Sequence, residues 1–247
     1  MITDRAQTRG SPRAIRPAQP LQLCSDETLT ALCQHATTVR LRRRQLLPFS
    51  NGHLDSVYIV RSGLLALQTV LPGKPRQLLA LHYPGDVMGV ALPPPLPHAA
   101  SCAIVASELW RLPTSTFESR LAEDCQLAVQ ITRHLARQEA RTLLHAAMIG
   151  GLSGEERAAS FLIELGLRAG VPSAHGMAFD MHLSRNDIAD YLALNPDTLS
   201  RIMSRLKARG IVAQTGRTRA IVPNWEALCA ESPLAGTLTA LHSQTEG

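Results

Sequence analysis

Between Leu183 and Val212 the chain runs LSRNDIADYLALNPDTLSRIMSRLKARGIV, and Asp197, Ser200, Arg201, Ser204 and Arg205 fall on the outward faces of one short helix. Together they offer an acceptor, two hydroxyls and two cations, the groups that suit base edges and phosphates in a DNA major groove. Such a helix must be anchored by its other side. Leu199, Ile202, Met203 and Leu206 supply that apolar stripe, and Gly210 ends it. Asn195 is a fitting N-cap, and Pro196 takes the first helical position, where its missing N–H costs nothing. Ahead of it, Ser184 and Asp187 have capping-box spacing, and Ile188, Ala189 and Leu192 line one face of a first helix. Two short helices about a turn at Leu194-Asn195-Pro196 make a helix-turn-helix.

An ordinary helical hairpin would share this spacing, but the residues that follow argue against one. Ile211 to Ala213 and Ala220 to Pro223 read as two short strands around the basic turn Gln214-Thr215-Gly216-Arg217-Thr218-Arg219, which is a wing. From Ser184 to Arg219, seven Lys and Arg (including Arg185, Lys207 and Arg209) stand against three Asp, a local charge of +4 out of a formal +5 for the chain. Concentrated positive charge supplies the phosphate part of DNA affinity.

With 247 residues and 45% hydrophobic content, the chain has enough material for about two domains with their own cores. No apolar run approaches the ~20 residues of a membrane span, and the N-terminal arginines precede no hydrophobic stretch, so no membrane partner and a cytoplasmic address are expected. Five cysteines (Cys24, Cys33, Cys102, Cys125, Cys229) are an odd number without dense spacing and read as free thiols. No Gly-x-Ser-x-Gly, phosphate loop or His-Glu-x-x-His is present, so the expectation is a protein that is not an enzyme, with neither catalytic nor metal residues nominated.

The elements that must position the reading helix suggest an α+β chain. Residues 1–21 read as a disordered tail and 22–113 as a β-sandwich or jelly roll, with strands at Val57 to Val60, Leu64 to Val70, Gln77 to His82, Cys102 to Ala106 and Leu109 to Leu112. Residues 114–150, free of Pro and Gly up to Ile149, read as one long helix, 151–225 as the winged helix-turn-helix and 226–247 as a C-terminal tail. On the long helix Leu121, Ala128, Leu135, Thr142 and Ile149, with Ala146 interleaved, form a heptad seam for a partner helix. A second stripe through Val129, Ala136, Leu143 and Ala147 is expected to face the sandwich. Ser153 and Glu156 then give a second capping-box pattern.

Sandwich, long helix and winged helix-turn-helix in this order, with Tyr58-Ile59-Val60-Arg61-Ser62-Gly63, Pro84-Gly85-Asp86 and Glu155-Glu156-Arg157, resemble bacterial transcription regulators of the Crp/Fnr family. The resemblance implies a cyclic-nucleotide-binding-like sensory roll, a homodimer joined through the long helix, and contact with RNA polymerase at promoters. Asp197-Thr198-Leu199-Ser200-Arg201 resembles the Glu-x-x-Ser-Arg reading motif of the Fnr and FixK branches. It implies that Arg201 grips a guanine, that Ser200 meets a base or phosphate, and that Arg185, Ser204, Arg205, Lys207, Arg217 and Arg219 meet phosphates. Asp197 departs from the motif by one methylene. Either the helix sits closer to the bases, the preferred half-site differs from the Fnr-like TTGAT, or Asp197 complements the helix dipole. The two helices of a dimer would meet half-sites about one turn apart on a pseudo-palindrome.

The same resemblance implies a signal from oxygen limitation, nitrogen oxides or redox state, while leaving the effector open. Cyclic AMP is disfavoured because the stretch after Asp86 carries neither the acid nor the arginine of a phosphate cassette. An iron-sulfur cluster is disfavoured because only Cys24 and Cys33 lie near the N-terminus and Trp110 stands where the roll ligand would be. Haem remains an alternative, with His35, His53, His82, His98, His134 and His145 as ligands that no spacing distinguishes. A regulator with no cofactor is the other. The competing function, a non-specific architectural DNA-binding protein, has no need of a separate sensory roll.

Overall fold

The computed structural model describes residues 32–34, 36–48, 56–90, 99–215 and 218–243; the expected N-terminal tail and Cys24 lie outside them. Eight strands form two antiparallel sheets. In the first, β1 (Thr37–Leu41), β8 (Ser107–Pro113), β3 (Ser56–Ser62) and β6 (Val87–Met88) follow the order β1-β8-β3-β6. In the second, β2 (Leu46–Pro48), β7 (Ala99–Ala103), β4 (Leu65–Thr69) and β5 (Gln77–His82) follow the order β2-β7-β4-β5. Tyr58, Val60, Leu65, Met88 and Leu109 fill the space between the sheets. Both outer faces are covered as well, which explains continuous apolar runs such as Val57 to Val60 where a half-exposed strand would alternate. Val57, Ile59 and Leu112 pack on helices, while Leu64, Ala66, Leu78 and Ile104 join the core of the C-terminal domain.

The stretch expected to form one helix is two. Helix α1 (Thr114–Glu123) ends at Asp124, whose backbone is extended (φ −127°, ψ 98°) and whose carboxylate accepts from the N–H groups of Gln126 and Leu127 to start α2 (Cys125–Gly151). The absence of Pro and Gly hid this break, because an aspartate N-cap restarts a helix without either. The two faces of α2 are also exchanged relative to expectation. Val129 and Leu143 are 50% and 64% exposed, and Ala136 and Ala147 are exposed too, so the stripe assigned to the sandwich faces away from it. Leu121 on α1 and Leu135 on α2 instead pack against the roll, Ile149 packs against the C-terminal core, and only Thr142 and Ala146 of the expected seam are exposed; Ala128 is half-buried. The reason lies in polar residues that an apolar pattern omits. Leu127, Ile131, His134, Gln138, Arg141, His145 and Met148 form the inward stripe, and the Gln138 side-chain amide bonds both the N–H and the C=O of Val87 at 3.0 Å.

Helix α3 (Gly154–Ala169) starts at the expected capping box, with Ser153 accepting from the Glu156 N–H and Glu156 accepting from the Ser153 N–H. It carries Phe161, Leu162 and Leu165 into the C-terminal core. Helices α4 (Arg185–Leu192) and α5 (Pro196–Ala208) form the helix-turn-helix. The wing strands β11 (Ala213–Thr215) and β12 (Arg219–Val222) extend a sheet of order β11-β12-β10-β9, in which β9 (Val171–Ser173) and β10 (Gly176–Asp180) had no counterpart in the sequence reading. The expected C-terminal tail from residue 226 is structured. Helices α6 (Trp225–Ala230) and α7 (Ala235–Ser243) bury Leu228 and Leu238 in the same core, and Trp225 lies so close to Gly166 that a Cβ there would sit 2.5 Å from the indole. A lone buried leucine per short helix gives too little periodicity to mark such elements from sequence.

Candidate nucleic-acid interface

The local chemistry of the helix-turn-helix is close to that expected. Ser184 Oγ accepts from the Asp187 N–H at 3.2 Å and the Asp187 carboxylate accepts from the Ser184 N–H at 3.1 Å, which starts α4. Ala193 then adopts a left-handed conformation (φ 50°, ψ 47°) that turns the chain. Asn195 Oδ1 accepts from the Asp197 N–H at 2.8 Å, and Pro196 opens α5. Leu199, Ile202 and Leu206 are buried, fixing which side of α5 faces outward.

On that outward side Asp197, Arg201, Ser204, Arg205 and Lys207 are all exposed. Arg185, Ser200, Ser204 and Lys207 converge on the rim of a cleft of about 290 Å³ whose floor includes Ile188, Leu199 and Met203. Ser200 is half-buried and its hydroxyl donates to the Pro196 carbonyl at 2.7 Å, so it faces the cleft as an acceptor. Arg205 is shared with Glu155 at the start of α3, at 2.8 Å. Arg219 is exposed on β12, and Arg217 lies outside the described residues. Thr198, exposed beside Asp197, was not singled out from the sequence, although its position one turn before Arg201 was the available signal.

A larger omission lies behind α4. Asp187 and Asp190, counted in the sequence as local negative charge, are neutralised by the roll. Arg44 grips Asp187 with two bonds of 2.9 Å, and Arg76 reaches both Asp187 (2.7 Å) and Asp190 (Nε, 3.0 Å). Burial alone would raise the Asp187 carboxyl, but hydrogen bonds from Arg44, Ser184 and Arg76 hold it well below the usual carboxylate range. With these two carboxylates compensated elsewhere, Asp197 is the acid left exposed on the helix pair.

The roll meets the helical side through Asp86. Its oxygens accept from Arg141 at 2.7 Å and Arg168 at 2.9 Å, while burial, which would raise its pKa, is overruled by the two guanidinium charges. Both arginines at this junction are thus committed to Asp86. Cys102, Cys125 and Cys229 are free thiols in β7, α2 and α6, and among the described residues no group of three or more His, Cys, Asp or Glu converges as a metal site. Among the described residues no helix is long and apolar enough to cross a membrane.

Comparison with known proteins agrees with this layout. Residues 156–231 match the Crp-like helix-turn-helix domain and residues 38–124 the cyclic nucleotide-binding domain. The nitrogen fixation regulation protein FixK of Bradyrhizobium diazoefficiens is 30% identical over 206 residues, covering 77% of this chain and 86% of that protein. An anaerobic regulatory protein of Haemophilus influenzae is 24% identical over 178 residues, covering 72% and 69%. The structure of FixK2 from Bradyrhizobium japonicum superposes with a TM-score of 0.71 at 28% identity, covering 80% of this chain and 97% of that one. A basic reading helix on a winged domain, joined to a cyclic-nucleotide-binding-like roll and shared with these relatives along most of their length, makes this chain a DNA-binding transcription regulator of the Crp/Fnr family.

Proposed function

We propose that the chain works as a homodimer that reads a pseudo-palindromic promoter site with one α5 per half-site, contacts RNA polymerase there, and adjusts transcription in the cytoplasm to oxygen limitation, nitrogen oxides or redox state. The observation that carries the reading is the outward face of α5, where Arg201 stands exposed between Asp197 and Arg205 on a helix whose opposite side is buried. Arg201 is the guanine-gripping residue, Asp197 and Ser200 face the neighbouring bases, and Arg185, Ser204, Arg205, Lys207, Arg217 and Arg219 meet phosphates. The relatives' names, nitrogen fixation regulation and anaerobic regulation, support the oxygen-linked signal. No enzymatic step and no resident cofactor belong to this reading; an absorption spectrum and iron assay of protein purified without oxygen tests the latter, and a Soret band or an air-sensitive iron chromophore would overturn it.

Pairing through α2 is supported by its exposed side. Val129, Thr132, Ala136, Glu139, Leu143 and Ala146 recur at the 3.5-residue period of a two-helix seam and are all exposed, replacing the seam expected from sequence. Cys125, exposed at the head of this stripe, faces its own copy across a parallel two-fold seam. Mild copper-phenanthroline oxidation should therefore give a covalent dimer that Cys125→Ser abolishes; a Cys125→Ser protein that still crosslinks fully would place the seam elsewhere. For the DNA function itself, affinity for a selected pseudo-palindromic site should exceed that for random duplex at fixed salt by about a thousandfold or more. A ratio near one would replace the regulator with an architectural DNA-binding protein.

A further inference from the structure

Helix α4 is fastened to the rest of the molecule at both ends. Near its N-terminus, Arg44 and Arg76 of the roll hold the Asp187 carboxylate, which is 1% exposed. At its C-terminus a helix leaves backbone carbonyls without intrahelical partners. Here the Asp190 carbonyl accepts from the Gln77 side chain at 2.7 Å, the Tyr191 carbonyl lies 2.8 Å from His145 Nε2, and the Leu192 carbonyl accepts from Arg157 at 3.2 Å. The His145 ring also reaches the Leu79 carbonyl at 3.1 Å with Nδ1 and stacks on Tyr191 at 3.9 Å, so it joins α2, β5 and α4 at one point. The roll and the winged domain share one buried apolar cluster beneath these bonds.

We propose that Arg44 and Arg76 are positioning residues for DNA recognition, fixing α4, and through it α5, at a set distance and angle from α2 so that the dimer accepts one spacing between half-sites. This rests on the paired half-site reading above. Each base pair added between half-sites moves one recognition helix by about 3.4 Å and turns it by about 34° around the duplex axis, so discrimination between spacings requires arms that do not swing. Hydrophobic contact resists separation but is non-directional. The two-pronged grip of Arg44 on Asp187, and the Arg76 fork spanning Asp187 and Asp190, fix both the depth and the rotation of α4 on the roll. The two arginine side chains are 44% and 27% exposed, so they sit at the margin of this contact and their removal opens no cavity in the core.

The test uses the full chain and a series of duplexes carrying the same two inverted half-sites with spacers altered by one and two base pairs. The wild-type protein should prefer one spacer by about tenfold or more over its neighbours, a discrimination of the size set by single defects in a site. Arg44→Ala/Arg76→Ala should reduce that preference to about threefold or less, and Arg44→Lys/Arg76→Lys should recover part of it because charge returns without the fork. Asp190→Asn, which leaves the Asp187 capping box intact, provides the same readout if the double variant does not fold, with an intermediate loss expected. A merely structural defect would lower binding to every spacer by one factor; that result, or a variant profile as sharp as the wild type, overturns the proposal alone. A wild-type protein indifferent to spacing overturns the paired half-site reading and this proposal with it.

Discussion

Helices α4 and α5 are adjacent and joined by three residues, yet they treat their polar groups in opposite ways. On α5, Asp197, Thr198, Arg201 and Ser204 are exposed, and Arg205 has a single surface partner. On α4, both aspartates and the carbonyls of Asp190, Tyr191 and Leu192 are bound by groups from the roll, α2 and α3. A surface that must bind something else keeps its hydrogen-bonding capacity unspent, whereas a surface that must hold a position saturates it. Changes to the anchored groups of α4 should therefore cost stability and half-site spacing preference, and changes on the outward face of α5 should cost base discrimination at constant stability.

The largest effect expected is from Asp187→Ala. It leaves Arg44 and Arg76 near one another without their shared counter-charge and removes half of the α4 capping box, so unfolding free energy should fall by about 2–4 kcal/mol. Urea unfolding measures it. A loss below about 1 kcal/mol, the worth of an exposed pair, would erase the contrast between the two helices.

Acid should weaken the fixed side of the molecule next. Burial pushes His134 down to about 4, with Asp86 pulling the other way and Arg141, Arg137 and Arg168 opposing it; burial does the same to His82. Because the folded pKa lies below the unfolded value of about 6.5, their contribution is complete above that pH and is lost as pH falls from about 6.5 toward 4, by up to about 3 kcal/mol per histidine. Urea midpoints followed across this window should slope steeply for the wild type. His134→Gln should remove about half of the slope carried by the pair, and an unchanged slope would mean that His134 carries none of it.

The contrast also explains what could be read in advance. Asn195, Pro196, Ser184 and Asp187 signal helix ends through bonds within a few residues, and the apolar spacing of Leu199, Ile202 and Leu206 sets which side of α5 faces out. These are local, so the reading helix was legible. Arg44 and Arg76 lie 143 and 111 residues from Asp187, and nothing in an isolated arginine says which carboxylate it will meet. The inward face of α2 escapes an apolar pattern for a related cause, since Gln138, Arg141 and His145 hold it to the roll and their partners lie far away in the chain. Asp124 shows that local signals too can be overlooked when a break carries no Gly or Pro.

On the free side, Arg201→Ala should lose about 1–3 kcal/mol on the preferred site and little on random duplex, with an unchanged unfolding midpoint. Equal losses on both duplexes would make Arg201 a phosphate contact. A fall in the unfolding midpoint would mean that α5, like α4, is held through its polar groups.

The smallest effect tests the joint between the two helices. Ala193 is held at φ 50° with the Leu194 N–H bonded to the Ala189 carbonyl, a left-handed conformation that costs a Cβ-bearing residue about 1–2 kcal/mol. Glycine adopts it freely but gives up about 0.5–1 kcal/mol more backbone entropy on folding, so Ala193→Gly should stabilise the protein by about 0.5–1 kcal/mol. Calorimetry on the full chain reads the gain, and because Ala193 is exposed no packing is lost with its methyl group. The strain is retained at the one residue where a saturated helix hands over to an unsaturated one. If α4 fixes the position of α5 through its own bonds, glycine should raise stability and leave the spacing profile as sharp as before. A broadened profile would place part of the positioning in the stiffness of the alanine itself.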